Sequence, residues 1–378
     1  MSPRASKDSV DGGAGPSLSA RLRERIIEAG PLTFRDWMSA ALYDEREGYY
    51  RRRGAVRWGR AGDYRTAPER STLFAATFAR HFTKLHAELG RPRVFHLLEA
   101  GGGGGRFAHG VLRTLRRDAP HVYESVRYVF DEAGSDSRLR AAELLAPFAE
   151  RVEFRRVSEL PDRLDHAVVF SNELLDAFPV HRVTVRGGRL LESYVALNAG
   201  GGFAFVESEP STPRLAGHFE RLGVTLEEGQ VAEVNLEVSD WLARAARSVG
   251  SGFVVTVDYG DEAASLYGAP HRRGGTLRAF RGHELIEDVL RDPGGQDLTT
   301  TVNWTQVVNE GRVAGLKTLT LERLDAFLLR AGLVEQLELE SERAESDAEG
   351  AALRLGAREM ILPGGMASHF QVLVQQKD

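Results

Sequence analysis

The chain has 378 residues, 42% of them hydrophobic and 27% charged, an ordinary globular balance that excludes a fibrous or disordered protein. With 49 Lys and Arg against 54 Asp and Glu, the formal charge is -5, so the overall field neither gathers nucleic acid nor favours an anionic membrane surface. The absence of cysteine excludes a disulfide scaffold, a thiolate nucleophile and a cysteine zinc site, and fits a reducing compartment, here expected to be the cytoplasm.

Residues 1–16 are rich in Ser, Gly and Ala and lack the apolar stretch of a secretory signal, so they read as a disordered tail. No uncharged apolar run approaches the ~18 residues that a bilayer span requires, and no membrane association is expected. Residues 17–93 form a helical and lid segment. Leu18, Leu22, Ile26 and Ile27 recur at helical spacing before Gly30, and Phe34, Trp37, Met38, Ala41 and Leu42 repeat the pattern. A Gly-rich, aromatic and basic loop follows, then an amphipathic helix over Thr72–Leu89.

Residues 94–178 begin an α/β core. An apolar strand, Val94 to Leu98, leads into Gly101–Gly105, a helix to about Arg117 and a second strand, Ser125–Phe130. A helix over Arg138–Phe148 and strands at Val152–Phe154 and Ala167–Phe170 complete the alternation that a doubly wound parallel sheet requires. Residues 179–237 alternate polar and apolar positions around a Gly-Gly turn and predict an inserted antiparallel hairpin. The core continues over 238–260 with a helix, Val238–Val249, and a strand, Phe253–Val257. A substrate-side insertion spans 261–332, polar to about Thr301 and then carrying two helices. Residues 333–378 are expected to hold strands near Val334–Leu339 and at Phe370–Val374, with the charge run Glu340–Glu349 as a loop between them.

Three features carry chemistry. A strand delivers Glu99 to its C-terminal end, where Gly101, Gly103 and Gly105 let the backbone turn sharply and approach a ligand before the next helix. The second strand ends in Asp131-Glu132, the place of a ribose-hydroxyl acceptor; nicotinamide dinucleotides and adenosyl cofactors both remain open on this spacing. The last core strand of the first half ends in SNELLDAFP, which sets Asn172, Glu173 and Asp176 at the crevice, two carboxylates suited to a cationic acceptor such as a guanidine or amine. Two other clusters are weaker. Arg51–Arg53 with Arg57, Trp58 and Arg60 mix bases and aromatics as a nucleic-acid surface does, but in an acidic chain they read as a lid or solvated loop, and no nucleic acid is expected. His271 and His283 lie in a polar loop without a metal-ligand spacing, so no metal is expected.

The stretches GYY, GDYRTAP, EAGGGGG, NELLDAFPVHR, GFVVTVDYG, GGTLRAFRGH, DLTTTVNW and MILPGGMASHFQVL stand in the order of the MidA-like, or complex I assembly factor 7, family, which the chain resembles over nearly its whole length after the tail. The resemblance implies a class I methyltransferase, a Rossmann-like seven-stranded sheet with added helical and hairpin elements, using S-adenosyl-L-methionine. It further implies methylation of an arginine guanidine nitrogen of a protein partner, since a mitochondrial member methylates a complex I subunit. A small-molecule acceptor, or a cofactor-binding assembly factor without catalysis, is the alternative, and the oligomeric state is left open. Position by position, it assigns the cofactor to Glu99, Gly101, Gly103, Gly105 and Glu132, with Asp131 as fallback, and the chemistry to Asn172, Glu173 and Asp176. Gly62, Asp63, Thr66 and Pro68 match a loop closing over the cofactor; Asp258, Tyr259, Arg278 and His283 match the substrate side. The sequence departs from the family in its all-glycine turn, a two-residue insertion after Glu132, and Thr301 and Asn303 in place of His and Asp in the expected acceptor region.

Overall fold

The computed structural model describes residues 16–52, 54, 71–160, 163–362 and 366–378. The N-terminal arm opens with a helix, Leu18–Ala29, capped by the Ser17 hydroxyl and stopped at Gly30, whose φ of 85° is the left-handed turn a glycine supplies cheaply. A two-residue strand, β1 (Leu32–Thr33), leads into a second helix, Phe34–Tyr43, where Thr33 Oγ1 accepts the Asp36 N–H. Its apolar face is buried, and a bidentate Arg21–Asp44 pair ties the two helices together.

After a helix over Thr72–Glu88, the core strands follow: β2 (Phe95–Ala100), β3 (Val126–Asp131), β4 (Val152–Phe154) and β5 (Ala167–Asn172). An inserted sheet is made of β6 (His181–Arg186), β7 (Arg189–Leu197), β8 (Phe203–Ser208) and β9 (Val231–Val234), with β1 added at the edge of β7. Next come β10 (Gly252–Asp261), a small antiparallel sheet of β11 (Arg278–Arg281), β12 (Glu284–Ile286) and β13 (Asp297–Thr299), then β14 (Val302–Asn303), β15 (Lys317–Arg323) and β16 (Phe370–Lys377).

The principal sheet runs β15-β16-β10-β5-β2-β3-β4, with β14 beside the end of β10. Strands β2 to β5 and β10 are parallel, whereas β16 is antiparallel to both neighbours. The order reverses between β2 and β5, which opens a crevice at their carboxyl ends. Both faces of this sheet are covered, so its strands read as unbroken apolar runs. On one face Phe170 stacks on Phe107 at 4.3 Å and 9° beneath the helices Thr72–Glu88, Arg106–Asp118 and Leu324–Ala331. On the other, Leu98, Val169 and Val254 pack under Trp241, Leu242 and Trp304 from the helices Glu237–Ser248 and Trp304–Val313. No helix among the described residues is long and apolar enough to cross a membrane.

The C-terminal part departs from the sequence reading. Residues Val334–Leu339 belong to a helix, Leu333–Glu342, not a strand, and another helix, Asp347–Ile361, begins inside the expected charged loop, capped by the Ser346 hydroxyl. Leu333, Gln336 and Glu340, the buried positions, recur at helical spacing, which the Leu-Glu alternation over residues 337–340 obscures in the sequence. Glu340 is buried because Arg113, Arg117 and Arg343 converge on it. The strand beside β16 is instead β15, an edge strand between the helices of the 261–332 segment, and the polar stretch before Thr301 carries the β11-β12-β13 sheet.

Candidate active site

The carboxyl ends of β2, β3, β5 and β10 border a cavity of about 890 Å³. Its first half is built on the glycine turn. Gly101, Gly103 and Gly105 have φ of 71°, 55° and 82°, so these three need glycine for their conformation, while Gly102 and Gly104 do not. The turn is held by the Asp131 carbonyl, which accepts the N–H groups of Gly101 and Gly102 at 2.9 and 3.1 Å. Gly105 then starts the helix Arg106–Asp118, whose N-terminal amides face the cavity.

The three acids around this turn differ in their surroundings. Glu99 is buried at the end of β2, where Tyr128 Oη donates to its Oε2 at 2.7 Å. Burial pushes its carboxyl up to about 8, the Tyr128 hydrogen bond working against that and the Glu132 charge adding to it. Glu132 accepts the Gly103 N–H on Oε2 at 2.9 Å and the Gly134 N–H on Oε1 at 2.6 Å, which ties the acid of β3 directly to the turn of β2. Asp131 turns its side chain the other way and takes the Val157 N–H at 2.9 Å. Both line the cavity, with Val157, Trp241 and Arg244 beyond them. A turn opened by three left-handed glycines and a carboxylate fixed at its rim fits the ribose-bearing end of an adenosyl cofactor.

The second half gathers around the end of β5. Glu173 has φ 51°, a left-handed conformation that turns the chain at the sheet edge. Asn172 Nδ2 donates to Glu173 Oε1 at 3.0 Å. Asn172 Oδ1 and Asp176 Oδ1 are shielded from solvent with no hydrogen-bond partner in the protein. Burial pushes the Asp176 carboxyl well above the usual range, and the charges of Asp258, Glu173 and Asp297 add to it. Tyr259, Arg278 and His283 line the cavity as the sequence predicts. Asp258 does not: it is fully buried behind the wall, where its Oδ2 accepts the N–H groups of Leu174, Leu175 and Asp176 and its Oδ1 that of Tyr259. Its place is under the Asn172–Asp176 loop, as the support of that loop.

Gly62, Asp63, Thr66 and Pro68 lie outside the described residues. Thr301 and Asn303 do not line the cavity; Asn303 caps the helix Trp304–Val313 by accepting the Gln306 N–H, and the Thr301 N–H donates to Thr276 Oγ1. Both departures from the family pattern are therefore local supports, away from the reacting centre. Among the lining residues that escaped the sequence reading are Tyr43, Tyr50, Trp241 and Asp297. The GYY stretch and the first residue of DLTTTVNW were the available signals for Tyr50 and Asp297.

Residues 77–321 match the family described as "Putative S-adenosyl-L-methionine-dependent methyltransferase". A COG1565 superfamily protein from Burkholderia thailandensis, solved with S-adenosylhomocysteine bound, is 30% identical and superposes with a TM-score of 0.85 over 95% of this chain and 92% of its own. Among curated proteins, the mitochondrial protein arginine methyltransferase NDUFAF7 homolog of Drosophila melanogaster is 27% identical over 81% of this chain and 72% of its own. The NDUFAF7 protein of Mus musculus is 25% identical over 92% and 82%. With the class I sheet order, the glycine turn and the rim carboxylate in place, the chain belongs to this family of S-adenosylmethionine-dependent methyltransferases.

Proposed function

We propose that the methyl acceptor is a guanidine nitrogen of an arginine in a protein partner. The observation that carries this reading is the pair of shielded acceptor atoms, Asn172 Oδ1 and Asp176 Oδ1, left without donors at the cavity's inner wall. Orphaned acceptors beside carboxylates call for a ligand rich in N–H groups and positive charge, and a guanidinium offers five such donors in a fixed plane. The names of the curated relatives point the same way.

Bound S-adenosylmethionine supplies a methyl group on an electrophilic sulfonium. The chain's work is then positional. Glu132 and the glycine turn fix the cofactor end, and Asn172 and Asp176 aim the acceptor nitrogen. Glu173 draws the cation in, and Asp176 ionises as the cation binds. One of the two takes up the single proton that the nitrogen loses as its bond to the methyl carbon forms and the carbon–sulfur bond breaks to leave S-adenosylhomocysteine. A binding-only assembly factor has no use for this second half, and Thr301 and Asn303, outside the cavity, give no sign of lost catalysis.

Incubating the protein with methyl-labelled S-adenosylmethionine and lysate, then hydrolysing the labelled protein, tests the reading. Label in methylarginine is expected. Label confined to another residue type or to a small molecule overturns it.

A further inference from the structure

Among the residues that sequence reading missed, Tyr43, Tyr50 and Asp297 meet at one place on the cavity wall, beside the loop that follows β5. Tyr50 Oη donates to Asp297 Oδ1 at 2.7 Å. Tyr43 Oη donates to the carbonyl of Ala177, the residue after Asp176, at 2.9 Å. The two rings stack on one another, centroids 5.5 Å apart and planes 25° from parallel, and Tyr49 braces Tyr50 edge-on at 5.1 Å. All of Tyr43, Tyr50, Asp176 and Asp297 line the cavity.

This wall is rigid for reasons that lie in the arm itself. Its helices bury Trp37, Met38 and Leu42 in one cluster with Val180, Ala279 and Leu298, so the arm is packed against the start of β6, against β11 and against the residue next to Asp297. The Tyr49 and Tyr50 amides donate back to the carbonyls of Ala41 and Leu42 at 2.9 Å, fixing the tyrosines to the end of the arm's second helix. Asp297 is itself buried and lines the cavity, so its carboxylate acts on whatever fills the cavity with little screening by water.

Resting on the guanidine reading above, we propose that Asp297, oriented by the Tyr50 hydroxyl, is a third carboxylate of the acceptor subsite. With the stacked Tyr43 and Tyr50 faces, it makes the N-terminal arm the element that selects a planar, delocalised cation over a compact ammonium. Three carboxylates lining one cavity can share the five donors of a guanidinium, whose flat face also stacks on aromatic rings with little loss of hydration. A lysine ammonium has three donors on a single, strongly hydrated point and offers neither the planar fork nor the flat face. Tyr50 is a positioning residue here, since it acts through Asp297.

The test measures binding to enzyme saturated with S-adenosylhomocysteine, using N-acetylarginine methylamide and N-acetyllysine methylamide as probes, for wild type, Tyr50→Phe and Asp297→Asn. Wild type is expected to prefer the arginine probe by tenfold or more. Asp297→Asn should weaken the arginine probe by about tenfold and leave the lysine probe within twofold, and Tyr50→Phe should lower the same preference by a few-fold. S-adenosylhomocysteine affinity should stay within threefold, which a general loosening of the fold would not allow. Wild-type arginine-to-lysine preference in both variants overturns the proposal. Equal affinity of the wild type for the two probes also overturns it, even where lysate label appears in methylarginine, so this proposal and the acceptor reading fail separately.

Discussion

Asp258 Oδ2 lies 2.9 Å from the Leu175 amide nitrogen, and the same oxygen takes the neighbouring amides of Leu174 and Asp176 at 3.2 and 3.4 Å. Three successive N–H groups closing on one buried carboxylate make a small anion nest, here filled from within the chain. The Asn172–Asp176 loop is thus held from behind, which frees its side chains to face the cavity. Asp258→Asn keeps the shape but sets an amide N–H or a weaker neutral acceptor against those donors. Burial and the Glu173 charge push the Asp258 carboxyl up to about 8, so its bonds to the loop count as ordinary ones of about 0.5–1.5 kcal/mol each, and a lower melting temperature is expected. Methyl transfer should fall by more than tenfold, while S-adenosylhomocysteine affinity by calorimetry changes only a few-fold. Unchanged transfer in the folded variant would show that the loop needs no such support.

At the cofactor end, Glu132 and Gly103 act as a unit through their 2.9 Å hydrogen bond. Gly103→Val places a branched side chain at φ 55°, a conformation that residue type strongly resists, and is expected to abolish S-adenosylhomocysteine binding. Glu132→Ala should weaken it about ten- to a hundredfold, on the worth of charge-assisted bonds. Asp131→Ala should cost less, because that side chain braces Val157, whereas Glu132 holds the glycine turn itself. A larger loss in Asp131→Ala than in Glu132→Ala would reverse the assignment of the ribose acid.

Glu99 gives a prediction in pH. Its carboxyl is pushed from the ordinary 4.5 to about 8 in the folded protein, burial being the main cause. Between those values the native state holds a proton that the unfolded chain has already lost, so stability falls as pH rises through this window. Glu99→Gln removes the titration. The melting temperature of the ligand-free variant is expected to decline less between pH 5 and pH 8 than that of the wild type; identical declines would mean that Glu99 stays ionised in the fold.

The principal sheet was legible because burial on both faces writes its strands as apolar runs, Val168-Val169-Phe170 and Phe253-Val254-Val255 among them, punctuated by glycines at the ligand side. The exposed edge strand β15 was not, since Lys317, Thr318 and Thr320 alternate with leucines as readily as a loop does. The cofactor half of the site is local in sequence, a turn and the end of the adjacent strand, and was readable for that reason. The acceptor half is assembled from residues more than 250 positions apart: Tyr43 and Asp297 are brought together only by the packing of the arm on Leu298. Asp258 was assigned to the substrate side by resemblance, whereas the fold sets it under the Asn172–Asp176 loop, because a motif match gives the element but not which way a buried side chain on it faces.

Glu173 and Asp176 decide whether charge drives acceptor recognition. Burial and three neighbouring carboxylates hold the Asp176 proton tightly, so an arriving cation both relieves the repulsion and favours the ionised form. A neutral acceptor relieves nothing. Glu173→Gln and Asp176→Asn keep the shape of the wall and each remove a group that can ionise against the cation. S-adenosylhomocysteine affinity should survive within a few-fold in both, while methyl transfer into lysate protein falls by roughly a hundredfold, equivalent to about 2.7 kcal/mol of transition-state stabilisation. The two losses should not add in the double variant, because the carboxylates hold one cation and either deletion already breaks the clamp. Full activity in both single variants would remove electrostatics from the mechanism and leave shape alone to choose the acceptor.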